Sequence, residues 1–284
     1  MVIDMRLRPP TPGFVRSTLY QNTGLTEHPK FARLPSARTR SVPTLVEEMD
    51  AAGVEIGVVP GRYSLEPFGT VPTDELVQLA EDYPGRFLVF MGLDLQPTTD
   101  LMLDELRRWT GRKGVVGVCL EPTISTNPAI TGADDRALYP VYEYCSQQNL
   151  PISITLSAVL QGITRQPYAR SSPIQLYQVA HDFPNLQIHV GHAAYPWVME
   201  MIGVCMTCPN VWLSPDLYMS SLFPGAQEYA KAAVSYFPNR TVFGTGYPTK
   251  PFDAMIDAYR EWNWPKAVEQ KILRDNARRM MHLD

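Results

Sequence analysis

Short apolar runs alternate with helical patterns along this chain, at the intervals typical of βα units. Eight runs read as strands. They are VIDMRL at Val2, EIGVVPG at Glu55, RFLVFMGLDL at Arg86, VVGVCLEP at Val115, PISITLS at Pro151, NLQIHVGH at Asn185, NVWLSPD at Asn210 and TVFGTGYP at Thr241. Helical periodicity fills the intervals. SVPTLVEEMDAAG offers Ser41 as an N-cap and Gly53 as a C-terminal stop, and TDELVQLAEDYPG, RALYPVYEYCSQQN and SPIQLYQVAHDFPN repeat the design. Eight strands with intervening helices predict an α/β fold, a (β/α)8 TIM barrel. An open doubly wound sheet is the alternative, but no Gly-rich phosphate loop supports it.

Residues 9–42 break the rhythm. The stretch is rich in Pro and Arg, shows little periodicity and follows the first strand. Loops this long in a compact fold are usually functional or disordered, and loops after barrel strands surround the mouth. Residues 9–42 are therefore expected to form a cap over the mouth. With no internal repeat and no second domain in view, residues 1–284 read as one domain.

Charge and composition narrow the function. A 45% apolar and 19% charged chain is ordinary for a soluble globular protein, and a net charge of −4 argues against nucleic acid as the main partner. The charge is uneven. Arg6, Arg8, Arg16, Lys30, Arg33, Arg38 and Arg40 face only Asp4 and Glu27 in residues 1–42, which reads as an anion-binding region or as a solvated loop. No apolar run approaches a membrane span, and a strand-like run stands where a signal peptide would. A cytoplasmic protein without a membrane partner is expected. Cys119, Cys145, Cys205 and Cys208 are too few for a disulfide framework. The CMTC pair at Cys205 and Cys208 lacks a second pair at zinc-ribbon spacing and a thioredoxin-like context, and reads as buried helix-end thiols.

Several segments together resemble the amidohydrolase-2 family, which includes metal-dependent decarboxylases, hydratases and lactonases. VIDMRLRP is similar to the family's Ile-Asp-x-His-x-His-x-Pro, and GVCLEP to its Gly-Val-Lys-Leu-His-Pro. LYPVYEYCSQQNLPISITLS resembles the helix and strand that usually end in His-Thr-Gly. FPNLQIHVGHAAYPWVMEMI resembles the sixth-strand Gly-His segment with its Pro-Trp. VFGTGYP resembles Phe-Gly-Ser-Asp-Tyr-Pro, and ILRDNARRMMHL the closing helix. The resemblance spans almost the whole chain, in order. It implies a barrel with its site at the mouth, and a homo-oligomer as the expected assembly.

The departures from the family pattern matter more. Metal-binding members use two first-strand histidines, a fifth-strand histidine and an eighth-strand aspartate. Here those positions read Arg6, Arg8, Thr155 and Gly246. Arg and Gly offer no side-chain ligand, and a Thr hydroxyl is a poor one, so no metal and no other cofactor is expected. His192 is retained where the resemblance implies an acid/base histidine; the bland alternative is a histidine that packs or hydrogen-bonds inside the barrel.

Strand alternation supplies the rest of the expected site. With His192 inward, Val190 and Ile188 follow it and His189 faces the outer helices. Asp4, Arg6 and Arg8 share one face. Gly117, Cys119 and Glu121 form the fourth column, and Ser153, Thr155 and Ser157 the fifth. Ser214 and Asp216 pair on the seventh strand, and Val242, Gly244 and Gly246 leave space on the eighth. Asp94 and Arg62 are expected at the third and second strand ends. The two arginines need carboxylates such as Asp4, Glu121 or Asp216, or an anionic ligand. Tyr195, Trp197, Tyr218 and Tyr247 lie just beyond strand ends, where they would wall an apolar pocket or simply pack. Lys250 adds a cation at the rim or a solvated side chain.

The expectation is a metal-independent hydrolase or lyase acting on a small carboxylate-bearing cyclic or aromatic compound. His192 would be its acid/base, with Asp216 or Glu121 orienting it. Arg6, Arg8, Arg62, Thr155, Trp197, Tyr218 and Tyr247 would bind the substrate. The rivals are a catalytically inactive barrel that binds a ligand or partner, and a relocated metal site built from His192, Asp216 and Glu121.

Overall fold

The computed structural model of the protein describes residues 1–21, 34–96 and 98–283. Seven parallel strands run in sequence order around one sheet. They are β1 (Val2–Asp4), β2 (Val54–Pro60), β3 (Phe87–Gly92), β4 (Val115–Leu120), β5 (Ile152–Ser157), β6 (Ile188–Tyr195) and β7 (Val211–Ser214). The eighth run closes the ring without forming a regular strand. Leu213 bridges Thr241 in parallel, the Val242 N–H donates to Leu213 O at 3.0 Å, and the Met5 N–H donates to Phe243 O at 3.0 Å. The fold is the expected (β/α)8 barrel.

The helices form where capping and apolar periodicity coincide. The helix Val42–Ala52 starts at Ser41, whose hydroxyl accepts the Thr44 N–H, and stops at Gly53 with φ 72°, the left-handed cap conformation that glycine adopts without penalty. Thr73–Asp82, Tyr139–Gln147 and Gln175–Asp182 occupy the other expected segments. Leu45, Met49, Leu76, Val141 and Leu176 pack beneath them against Val59, Val89, Ile154 and Val190 of the strands. Inside the ring, Ile3, Met5, Val58, Phe90, Cys119, Trp212 and Val242 fill the lower barrel, and Ala277, Met280 and Met281 plug that end. A lower barrel filled by these side chains leaves chemistry to the opposite end.

The described parts of residues 9–42 carry three short helices, Pro12–Arg16, Thr18–Gln21 and Pro35–Thr39. Residues 22–33 of the expected cap, which include Glu27, Lys30 and Arg33, lie outside the described residues. Tyr20 is buried and its hydroxyl donates to Arg8 O at 2.7 Å, so this segment packs onto the end of the first strand. Among the described residues no helix is long and apolar enough to cross a membrane. Cys205 and Cys208 are buried free thiols at the end of the helix Val198–Thr207.

Two alternation readings are corrected. On β6 the inward residue is His189, whose Nδ1 lies 2.8 Å from Ser153 Oγ and whose ring meets Phe90 edge-on. Ile188 and Val190 face the helices. His192 still reaches the interior because the strand leaves extended geometry there: His192, Ala193 and Ala194 have φ of 65°, 44° and 58°. Three successive non-glycine residues in left-handed conformation is a costly arrangement, and such strain persists only where the surroundings enforce it. On the first strand Ile3 and Met5 point inward. Asp4 turns instead to Thr245, accepting its N–H at 2.9 Å and its hydroxyl at 2.5 Å.

Candidate active site

At the mouth, Arg6, Arg8, Thr155, His192 and Asp216 come together, all buried. Arg6 reaches across the ring. Its Nη1 donates to Thr155 Oγ1 at 3.0 Å, its Nη2 lies 3.3 Å from His192 Nε2, and its Nε lies 3.7 Å from Asp216 Oδ2. Arg8 Nη2 lies 3.4 Å from the same His192 Nε2. Guanidinium nitrogens only donate, so Nε2 is the acceptor of both and the imidazole carries its proton on Nδ1. Nδ1 sits 3.1 Å from Asp216 Oδ2, a close contact angled off the line that a hydrogen bond needs.

Asp216 holds this arrangement from below. Its Oδ2 accepts the His192 backbone N–H at 2.8 Å, and its Oδ1 accepts the Ser214 hydroxyl at 2.6 Å. Asp216 itself has φ 54°. Glycine is required where Arg6 crosses: a Cβ on Gly191 would lie 2.9 Å from Arg6 Nη1, and one on Gly244 would lie 2.5 Å from Asp216 Oδ1.

The protonation states follow. Burial, reinforced by the Arg6 charge, holds His192 down to about 4, so it is neutral near pH 7. Burial alone would raise the Asp216 carboxyl, but the His192 contact and the Arg6 charge outweigh it and hold it down to about 2. With the imidazole neutral, Arg6 and two hydrogen-bond donors, the His192 N–H and the Ser214 hydroxyl, still favour the Asp216 carboxylate. Arg8 is pushed down to about 9, by burial first and then by Arg6 and Arg62. Asp4 is raised to about 6 by burial.

A second cluster sits beside the first. Arg62 Nε lies 2.8 Å from Glu121 Oε2, and its Nη2 donates to Oε1 at 2.9 Å. The Ser64 hydroxyl also donates to Glu121. Burial would raise Glu121, but Arg62 outweighs it and holds the group down to about 2. Glu121 is thus committed to Arg62, and Asp216 is the carboxylate that touches His192.

The aromatic residues divide. Tyr218 meets the His192 ring edge-on at 5.8 Å, and Tyr195 stacks on Tyr218 at 4.0 Å. The other two turn away. Trp197 donates to Ser171 Oγ at 2.9 Å and rests against Tyr168. Tyr247 donates to Glu48 at 3.0 Å, meets Ser36 and stacks on Phe252. Asp94 accepts the Gln96 N–H at 3.0 Å in a partly exposed turn. Lys250 is half-exposed at the rim. Sequence reasoning missed Ser64, Tyr20 and Gln161. Gln161 gives no motif signal; only its place four residues after Ser157 on a helix leading from the mouth could have marked it.

A parallel eight-fold barrel with a buried Arg–His–Asp constellation at the strand ends defines an enzyme-like TIM-barrel protein. Residues 3–283 match the family model described as amidohydrolase, and the chain belongs to that family, amidohydrolase-2. It is similar to an uncharacterized TIM-barrel protein from Bordetella bronchiseptica, with 31% identity, TM-score 0.85, and 99% of this chain and 98% of that one covered. It also resembles 2,6-dihydroxybenzoate decarboxylase from Rhizobium, at 18% identity and TM-score 0.74, covering 100% and 99%. A third structure is a dihydroxybenzoic acid decarboxylase from Polaromonas sp. JS666 with bound manganese and the inhibitor 2-nitroresorcinol, at 17% identity and TM-score 0.73, covering 99% and 97%. The likeness to the two decarboxylases is one of fold. No curated protein matches the sequence.

Proposed function

We propose that this barrel is a metal-independent hydrolase acting on a small cyclic or aromatic carboxylate, with His192 as general base and then acid. One observation carries the reading: two buried guanidiniums converge on His192 Nε2 opposite a single carboxylate, Asp216. Glu121 pairs with Arg62 and Asp216 with Arg6, so Arg8 is the buried guanidinium at the mouth that meets no carboxylate among the described residues, and its buried Nε has no hydrogen-bond partner among them. Burying an unpaired charge costs several kcal/mol. A substrate carboxylate offsets that cost through charge-assisted, bidentate hydrogen bonds.

The donor set does not suit the divalent cation that the family implies. Arg6 and Arg8 occupy the space in front of Nε2 with positive charge, and Thr155 already accepts from Arg6. Among the described residues no three His, Cys, Asp or Glu side chains gather as ligands. The two guanidiniums supply the positive field instead.

Substrate binding would arm the base. A carboxylate on Arg8 draws that guanidinium away from Nε2 and adds negative charge nearby, and both raise the His192 pKa from about 4 toward neutrality. His192 Nε2 then takes a proton from water as the water oxygen attacks a lactone-like carbonyl. Arg6 stabilises the resulting oxyanion, and the imidazolium returns the proton to the leaving oxygen. Hydrolysis fits better than loss of carbon dioxide, because an ion pair that holds the carboxylate stabilises the ground state against its departure. The described parts of the segment, residues 9–21 and 34–42, are proposed to cap the mouth, which the contact of Tyr20 with Arg8 supports.

The test is calorimetric titration with benzoate and benzamide, followed by turnover assays on five- and six-membered lactones bearing a ring carboxylate. The protein is prepared without added metal and its metal content measured. Carboxylate-dependent binding and turnover without stoichiometric metal are expected. Equal affinity for the neutral amide, or turnover that requires a divalent ion, would overturn the proposal.

A further inference from the structure

Gln161 is 1% exposed, and among the described residues neither its Oε1 nor its Nε2 has a hydrogen-bond partner. Leaving both atoms of a buried carboxamide unpaired is unfavourable, and native interiors rarely tolerate it without a ligand or water. The helix Ala158–Thr164 begins directly after β5, capped by the Ser157 hydroxyl. Its buried stripe is Ala158, Leu160, Gln161 and Thr164, while Val159 and Ile163 face outward.

Two chains of contact link the helix that carries Gln161 to the mouth. On one side Ser157, a turn earlier on the same stripe, lies 3.4 Å from the Tyr218 hydroxyl, and Tyr218 meets His192. On the other side the adjacent Leu160 packs with Phe68 and Ile124. Arg62 lies over the Phe68 ring at 4.9 Å, and its buried Nη1 has no hydrogen-bond partner among the described residues. Gln161 and Arg62 Nη1 thus supply unpaired donors and an unpaired acceptor, among the described residues, at two positions linked to the mouth through Tyr218 and Phe68.

We propose that Gln161, with Arg62 Nη1, is a specificity-determining station for a second substrate group, one that both donates and accepts a hydrogen bond. The inference rests on the carboxylate reading of Arg8. A hydroxyl is the smallest group that satisfies the station: it donates to Gln161 Oε1 and accepts from Gln161 Nε2 or Arg62 Nη1. A site with buried polar groups discriminates strongly against an analogue that leaves them unpaired.

The experiment titrates benzoate and its 2-, 3- and 4-hydroxy derivatives into the wild-type protein and Gln161→Met, and measures the melting temperature of both. In the wild type one hydroxy isomer should bind roughly 10–100-fold tighter than benzoate. In Gln161→Met that preference should fall to within about threefold, the scale of a contact without a lost hydrogen bond. The variant should melt at or above the wild-type temperature, because the carboxamide it replaces has no hydrogen-bond partner among the described residues. Benzoate-like affinity for every isomer, a preference that survives the substitution, or a markedly lower melting temperature would overturn the inference. Failure of benzoate and all three derivatives to bind would instead overturn the carboxylate reading, and this inference with it.

Discussion

Asp216 holds His192 twice: Oδ2 accepts its backbone N–H at 2.8 Å and lies 3.1 Å from its Nδ1. The first contact fixes a backbone in left-handed conformation, and the second sets a carboxylate beside the protonated Nδ1 while Nε2 faces the arginines. Asp216→Asn should therefore do more than remove a charge. It leaves Arg6 without its carboxylate, a change expected to cost roughly 3–5 kcal/mol, read as a lower denaturation midpoint in urea.

His192 is the group on which turnover should depend. His192→Asn should reduce activity roughly 10²–10⁴-fold while the fold survives. If the residue were structural alone, the melting temperature would fall and turnover per folded molecule would stay nearly constant. Both quantities can be read from one purified variant.

The two arginines should behave oppositely. Arg6→Met strands Asp216 and should destabilise by about 3–5 kcal/mol. Arg8→Met removes a buried charge that meets no carboxylate among the described residues, and should leave stability unchanged or raise it. The same change should weaken carboxylate binding by the worth of a charge-assisted contact, roughly 1.5–3 kcal/mol, with little effect on neutral analogues. Chemical denaturation and calorimetry separate the two.

Stability should fall with acid below neutrality. Burial holds His192 down to about 4 and His189 to about 3, against about 6.5 for a free imidazole. The unfolded chain then binds more protons between those values, so the stabilisation is complete above pH 6.5 and is lost as pH falls toward 4. Asp4 acts in the opposite sense. Raised to about 6, it stabilises the fold below about pH 4 and loses that contribution as pH rises through 6. Two histidines against one aspartate predict a net loss on acidification from pH 7 to 5. His192→Asn should make the slope of melting temperature against pH shallower.

Gly191→Ala tests the close passage of Arg6. A Cβ there would stand 2.9 Å from Nη1 and 3.0 Å from Cζ, forcing the guanidinium off Thr155 and His192. Overpacking of this kind costs about 1–3 kcal/mol, and it should lower carboxylate affinity at the same time.

Much of this was legible in the sequence. All eight barrel segments were visible as apolar runs, and the inward columns of the fourth, fifth and seventh strands followed from simple alternation. Alternation failed where the backbone left extended geometry. At His192–Ala194 three left-handed residues carry the chain inward, against the period of two, and at Met5 and Arg6 successive side chains both enter the barrel. No local pattern announces either break. Trp197 and Tyr247 were expected at the pocket, but their polar atoms found Ser171 and Glu48, 26 and 199 positions away, partners that only the folded chain brings near. The Arg62–Glu121 pair was hidden in the same way: each residue was placed at the mouth, and their mutual neutralisation was not.

The seam of the ring sets an order on the birth of this protein. The Asp4 carboxylate is tied to Thr245, 241 positions later, and Met5 to Phe243. During synthesis the first strand leaves the ribosome with only β2 available as a neighbour, and its other edge stays open until Phe243 and Thr245 have been made. The entropic cost of so large a closure grows only slowly with length, so the delay is a matter of time rather than of equilibrium. Arg6 and Arg8 are thus the first of the mouth residues to be made and the last to be shielded from water.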